Sequence, residues 1–184
     1  MASKFTGIGT VLRTGIPNLA ANMAEQPPEI ILKDIRAHLD AVCILIERHS
    51  GTIVQFSGDS VLAFWHPNTK PSHAQSAFHA SKALLEYVSA SSRNQESVLR
   101  IAIALGTGVL GGEFFGPTKQ FQIVGAAVSI AKRLSEVKPL PESFIRMSQY
   151  TASIIDAPGL IQEKELIERT GSDSLKLYTY RRPA

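Results

Sequence analysis

Residues 51–65 constrain the fold of this chain more than any other part of the sequence. They read GTIVQFSGDSVLAFW, with β-branched and aromatic residues on both sides of Ser57-Gly58-Asp59-Ser60. Such residues favour strands, and glycine, aspartate and serine are the residues that tight turns require. We therefore predict a β-hairpin that presents the carboxylate of Asp59 at its tip. Taken by itself, this pattern favours an ordinary turn aspartate over a functional one.

Helical periodicity is found on both sides of this hairpin. Over residues 29–49, apolar residues recur three and four positions apart, as on one face of an amphipathic helix: Ile31, Ile35, Leu39, Val42 and Ile46. Similar spacing predicts helices over residues 72–90 and 126–137. His38 and His49 fall on the first helix, where we predict both at the surface.

Shorter segments complete the pattern. We predict strands over residues 4–13, 99–105, 144–147, 160–168 and 175–181. Short helices are predicted over residues 18–25 and 148–155, the second with Ser148 as its N-cap. Glycines should bend the backbone after residue 105, at Gly106, Gly108, Gly111 and Gly112. Because strands and helices alternate, we expect a sheet that helices cover on at least one face.

The composition limits the class of protein. A chain of 184 residues with a net charge of +3 suits one soluble domain, residues 1–184, and argues against a nucleic-acid partner. The mild positive charge suits a polyphosphate ligand. Cys43 is the single cysteine, which we predict to be buried. The sequence has neither a membrane-spanning apolar run nor a signal-peptide pattern, so we expect no membrane insertion by this chain and a cytoplasmic location, with a larger or membrane-associated parent protein left open.

Three motifs occur in a characteristic order. They are the hairpin sequence Phe56-Ser57-Gly58-Asp59, a strand followed by Gly106-Thr107-Gly108, and the helix pattern Gly125-x-x-Val128-x-x-Ala131-x-Arg133-Leu134. Together, over about residues 29–180, they resemble the catalytic domain of class III nucleotidyl cyclases. The resemblance implies an α+β fold of the ferredoxin-like or palm type, with a mixed, mainly antiparallel sheet covered by amphipathic helices. It also implies a dimer, with the sites built across the interface.

The resemblance further implies two carboxylates that bind two divalent cations, Mg²⁺ or Mn²⁺, around a triphosphate. Asp59 matches one of these metal-binding aspartates. The other belongs to the opening strand, where Leu12 stands in its place, and no aspartate precedes Asp34. A single carboxylate gives two divalent cations too few oxygen ligands. We therefore predict that any metal-dependent catalysis is impaired.

The remaining site positions also depart from the family pattern. Arg133 matches the arginine that stabilises developing charge, although a solvated helix residue is the alternative interpretation. Ser129 replaces the family's asparagine, and Gln55 and Gln122 replace the residues that read the nucleobase, so ATP and GTP are not distinguished. Thr170 replaces the lysine of a terminal Lys-Gly pair.

Two main hypotheses follow. The first is a degenerate cyclase homology domain that dimerises with itself or with another cyclase domain. It would act as a regulatory or structural module with little or no cyclase activity alone, and would bind ATP or GTP. The alternative is an active adenylyl cyclase domain, alone or as half of a heterodimer, that uses Mg²⁺ or Mn²⁺ to convert ATP to cyclic AMP and diphosphate. An α/β domain that binds an unrelated partner remains a third interpretation.

Overall fold

The computed structural model describes residues 4–19, 24, 27–93, 100–168 and 174–181. Its helices are α1 (Pro28–Arg48), α2 (His73–Arg93), α3 (Ala126–Glu136) and α4 (Gln149–Ser153). Its strands are β1 (Phe5–Gly15), β2 (Thr52–Ser57), β3 (Ser60–Trp65), β4 (Ala102–Phe115), β5 (Gln120–Val124), β6 (Phe144–Ser148), β7 (Ile161–Glu168) and β8 (Ser174–Tyr180). The predicted short helix over residues 18–25 falls largely outside the described residues.

The eight strands form one sheet in the order β2-β3-β1-β4-β6-β8-β7, and β5 pairs with the end of β4. All neighbouring strands are antiparallel except β4 and β6, which are parallel. Strands β1 and β4 pair along the whole of β1, from Phe5 opposite Gly112 to Gly15 opposite Ala102. This mixed, mainly antiparallel sheet with covering helices confirms the predicted α+β class.

Helices cover both faces of the sheet. Helices α1 and α2 lie on one face, where side chains such as Leu12, Val42 and Trp65 form the largest buried apolar cluster. Helix α3 lies on the other face, where Ala127 and Ala131 pack near Val11. Successive residues of β1 therefore point to opposite sides, as strand geometry requires. We call these two surfaces the α1/α2 face and the α3 face.

Gly106 and Gly108 of β4 allow close packing of α3 and do not end the strand. The strand continues through Gly106 and Gly108 to Phe115, so the predicted bend after residue 105 is wrong. A Cβ atom added at Gly106 would lie 2.5 Å from the carbonyl oxygen of Ala127 and 2.6 Å from the backbone nitrogen of Ala131. Both distances are far below van der Waals contact, so only glycine allows α3 to approach the sheet this closely.

The β2–β3 hairpin forms as predicted. Ser57 pairs with Ser60, the hydroxyl of Ser60 donates to the carbonyl oxygen of Ser57 at 2.9 Å, and Gly58 adopts a positive φ of 60°. Glycine adopts this left-handed conformation without the steric cost that a Cβ atom brings. The turn thereby fixes the position of Asp59.

Three side chains on α1 and just after it differ from the sequence-based prediction. His38 is only 4% exposed and lies among the buried residues of α1, so its predicted surface position is wrong. It lies seven residues after Ile31 and four before Val42, which places it within the apolar stripe. His49, predicted at the surface, and Cys43, predicted to be buried, are both partly buried. Within the described residues, no helix is long and apolar enough to cross a membrane.

Candidate functional site

A cavity of about 430 Å³ opens where the hairpin tip meets the end of β1 on the α3 face. Its floor is made of small residues, because Gly15, Ala102 and Ala104 line it. The C-terminal end of α3 closes one side. Its polar lining residues are Arg13, Thr14, Ser57, Asp59, Ser60, Ser135 and Glu136. We call it the Asp59 cavity.

Asp59 is held in place by the backbone that follows β1. Its Oδ2 atom accepts a hydrogen bond from the backbone N–H of Ile16 at 2.8 Å. A Cβ atom added at Gly15 would lie 3.8 Å from the same oxygen, so the carboxylate rests close against the end of the strand. A hydrogen bond to a charged acceptor is stronger than one between neutral groups. Asp59 therefore occupies a defined position in the cavity.

Gly15, and not Leu12, is the β1 residue that lies against Asp59, because a Cβ atom added there would be 3.8 Å from Asp59 Oδ2. Leu12 is fully buried in the cluster under α1 and α2, on the opposite face of the sheet. Arg13 lines the Asp59 cavity and is partly exposed. Leu12, the predicted replacement of a metal-binding aspartate, therefore points away from Asp59. The β1 position beside Asp59 is a glycine without a side chain, and Arg13, two residues earlier on the same face, carries a guanidinium group.

The residues of this cavity do not fit a pair of divalent cations. Asp59 is the carboxylate that the backbone holds in place, whereas the side chain of Glu136 is 60% exposed and lies 3.8 Å from Lys132 Nζ. Arg13 adds a positive charge that repels a cation. Across the described part of the chain, no three His, Cys, Asp or Glu side chains are grouped so that they could hold a metal ion.

The structure brings Gln55 and Gln122 to one groove. This groove, of about 510 Å³, runs between β2 and β5 and is lined by residues 52–56 and 120–122. Both glutamine side chains are exposed, so their amide groups are available to a ligand. An aromatic cluster lies beneath, in which the ring of Phe121 is 6.0 Å from Phe64 and 5.2 Å from Phe114.

Arg133 and Ser129 lie apart from both of these features. They are four residues apart on α3, which places them on the same side of the helix. Ser129 is exposed, and its hydroxyl donates to the carbonyl oxygen of Gly125 at 3.5 Å. Arg133 is partly exposed. In the described structure neither residue lines the Asp59 cavity or the Gln55–Gln122 groove.

Sequence reasoning missed two charged or titratable groups at this end of the molecule. One is Arg13, which strict alternation with Val11 along β1 could have placed on the α3 face. The other is His38, whose buried Nε2 atom has no hydrogen-bond partner among the described residues. Burial lowers the pKa of His38, and the nearby charge of Asp59 partly opposes this shift. Thr170 falls outside the described residues.

The arrangement of hairpin, glycine-bearing strand and closely packed helix agrees with the comparison by sequence. Residues 2–180 match the family model described as Adenylate and Guanylate cyclase catalytic domain. The chain belongs to this family. Adenylate cyclase 1 of Rhizobium meliloti (strain 1021) is 30% identical over 132 residues, which are 68% of this chain and 20% of that relative. The chain therefore spans about a fifth of the length of the curated relative it matches.

Solved structures of cyclase domains have the same fold. The adenylyl cyclase CyaB from P. aeruginosa has a TM-score of 0.79 at 20% identity, over 100% of this chain and 98% of that one. The non-canonical dimeric guanylyl cyclase domain of the RhoGC fusion protein from Blastocladiella emersonii has a TM-score of 0.74 at 16% identity, over 97% of each chain. At these identities the likeness establishes the fold alone.

Proposed function

We propose that this chain is a degenerate cyclase domain that dimerises and binds a nucleotide but has little or no cyclase activity alone. The observation that carries this proposal is the Asp59 cavity, where the β1 position beside Asp59 is Gly15, which has no carboxylate, and Arg13 adds a positive charge on the same face. Two-metal phosphoryl transfer needs oxygen ligands on both cations, to activate the attacking hydroxyl and to stabilise the leaving group. One fixed carboxylate beside a guanidinium does not provide them.

The distribution of the candidate residues supports a dimer. Arg133 and Ser129 line neither the Asp59 cavity nor the Gln55–Gln122 groove in the described structure, so one chain does not bring all candidate groups around one ligand. Exposed apolar side chains surround the start of α3 and the glutamine groove: Phe56 (54% exposed), Val109 (58%), Val124 (56%), Phe114 and Phe115 (both 48%). An exposed patch of this kind is typical of an interaction surface. The dimeric guanylyl cyclase domain with the same fold adds to this argument.

Nucleotide binding rests on a second set of groups. Gln55 and Gln122 share one groove, and each amide both donates and accepts hydrogen bonds. Such a pair accepts the edge of either purine. We therefore propose ATP or GTP as the ligand, with no strong preference between them, and a cytoplasmic setting in which both are available.

A second candidate function is an active adenylyl cyclase domain working as half of a heterodimer. The fixed position of Asp59 favours it, because the Ile16 N–H would not need to hold the carboxylate if the cavity had lost all function. Here Mg²⁺ or Mn²⁺ would be required, and a partner cyclase domain would have to supply the missing ligand. Arg133 would then stabilise the charge that develops on the phosphate.

A cyclase assay tests the two candidates against each other. The purified chain is incubated with ATP or GTP and with Mg²⁺ or Mn²⁺, and its mass is measured by sedimentation. We expect a dimer, no cyclic product, and an increase in thermal stability with nucleotide, because a ligand that binds the native state must stabilise it.

The matched variants are Asp59→Ala and Asp156→Ala, the second at an exposed aspartate far along the chain. Cyclic product that disappears with Asp59→Ala and persists with Asp156→Ala would establish an active enzyme and reject the degenerate domain. A monomer without product or nucleotide response would reject both candidates in favour of a domain that binds an unrelated partner.

A further inference from the structure

Arg13 lies in an unusual electrostatic setting. Its neighbours across the sheet on this face are Leu62 on β3 and Ala104 on β4, neither of which carries a charge. Gly15, the next residue of β1 on the same face, has no side chain at all. The guanidinium group thus extends over a floor of small and apolar residues into a cavity of about 430 Å³.

Within the described residues, Arg13 has no ion-pair partner. The ion pairs found there, with nitrogen–oxygen distances up to 4.0 Å, involve other residues, and Arg13 and Asp59 do not approach each other this closely. Asp59 instead accepts the N–H of Ile16. A partly buried guanidinium without a carboxylate partner retains its full charge and its N–H donors for a ligand.

We propose that Arg13 binds the phosphate groups of a nucleotide in the Asp59 cavity, and that it does so without a divalent cation. This inference rests on the proposed function, because it takes the nucleotide as the ligand. Guanidinium groups match phosphate geometry with two parallel hydrogen bonds, and Arg13 lines the cavity.

The charges in the cavity determine where the phosphate binds. Asp59 repels an anion, and the other carboxylate of the lining, Glu136, lies 3.8 Å from Lys132 Nζ, so the phosphate binds nearest to Arg13 and away from the hairpin tip. Arg13 in turn repels a divalent cation, which removes the reason for a metal to enter with the nucleotide. Arg13 thereby replaces the divalent cation as the positive charge at this position.

Binding measurements with and without a chelator test this inference. The purified chain is titrated calorimetrically with ATP and with inorganic triphosphate, once in EDTA and once in excess Mg²⁺. We expect binding in EDTA that weakens as NaCl concentration rises, because the contact is between charges. Arg13→Ala should weaken binding in EDTA by roughly tenfold or more, since it removes a charge-assisted contact. Arg13→Lys should weaken it less, because lysine retains the charge but not the paired geometry.

Two further variants sharpen the test. Arg36→Ala removes an arginine on α1 whose side chain is 86% exposed, and it should bind as the unmodified chain does. Arg13→Asp reverses the charge at this position, so binding in EDTA should be lost. Circular dichroism spectra of every variant exclude unfolding as the cause, and Arg13→Lys provides the test should Arg13→Ala fail to fold.

The outcomes separate this inference from the proposed function. ATP binding that requires Mg²⁺ in the unmodified chain would overturn the role of Arg13 and leave nucleotide binding standing. Binding in EDTA that Arg13→Ala leaves unchanged would also overturn it. If neither ATP nor triphosphate binds under either condition, the inference and the nucleotide-binding part of the proposed function both fail, while dimerisation is judged by sedimentation.

Discussion

The two faces of the sheet use their side chains for different purposes. On the α1/α2 face, large apolar residues such as Trp65 and Leu105 are fully buried under two 21-residue helices. On the α3 face, one shorter helix packs directly against the backbone at Gly106, and a cavity remains. The first face carries the largest buried cluster, and the second carries the residues that we propose to contact a ligand. Substitutions on the second face can therefore remove chemistry without removing the fold.

We expect the largest difference in stability between substitutions at two adjacent residues of β1. We expect Leu12→Asp to prevent folding, at a cost above about 4 kcal/mol, because it buries a charge in the core with no partner. Arg13→Asp, one residue on, should cost about 1 kcal/mol or less because its side chain points into an open cavity. Urea denaturation followed by circular dichroism measures both. Equal losses from the two variants would contradict the separation of the faces.

Substitution of Gly106 tests how much the stability of the chain depends on the close contact between α3 and the sheet. Gly106→Ala should destabilise the chain by about 1–3 kcal/mol, because the added methyl group clashes with the backbone of Ala127 and Ala131. Gly111→Ala is the matched control in the same strand. There the nearest atom to an added Cβ is 3.7 Å away, which is ordinary contact, so the loss should be small. Thermal unfolding of both variants decides the point.

A smaller effect is expected from His38 on the α1/α2 face. Burial lowers its pKa, so the unfolded chain binds a proton at a higher pH than the folded chain does. Stability should therefore be full above the ordinary histidine pKa of about 6.5 and should fall as the pH decreases below it. Burial also lowers the pKa of His49 and His73, which adds to this loss.

His38→Leu should reduce this acid loss, and His49→Leu, at a less buried position, should reduce it less. Urea midpoints between pH 8 and pH 5 provide the comparison. If the loss between these values is the same in the unmodified chain and in His38→Leu, another group is responsible for it.

The smallest effect on stability should come from the glutamine groove. Gln122→Ala removes an exposed side chain, so the free energy of unfolding should change by no more than about 0.5 kcal/mol. Binding of ATP and GTP should weaken together, because the amide reads neither purine selectively. Gln75→Ala, on α2, is the control for a glutamine outside the groove. A change confined to one purine would show that the groove does discriminate.

The local parts of the fold were predictable from the sequence, and the pairing between distant parts was not. The β2–β3 hairpin, α1 and the N-cap at Ser148 follow from turn residues and periodicity within a few positions. Leu12 lies on the face away from Asp59, and the sequence did not reveal this because a shift by an odd number of residues in a strand moves a side chain to the opposite face. The pattern alone does not fix that register. It is set by the pairing of β1 with β3 and β4.

The predictions for the glycines of β4 and for His38 on α1 were wrong for a related reason. Gly106 and Gly108 suggested a bend because their partner, the backbone of α3, is some 20 residues further along the chain. His38 was assigned to the surface from its polarity, although its position within the apolar stripe indicated burial. The juxtaposition of Gln55 and Gln122 came from the family resemblance, since 67 residues separate them in sequence.

At Gly106, no side chain separates β4 from the backbone of α3. A packed helix normally shifts relative to a sheet through small movements and rotamer changes of the side chains between them. Because such side chains are missing at this contact, α3 is held in one position on the sheet. The side chains of α3 therefore have a fixed position and orientation. A second chain that binds to α3 contacts the same arrangement of side chains each time. A substitution on the exposed side of α3, for example at Ser129, changes the chemical group at that position but leaves the position of the helix unchanged.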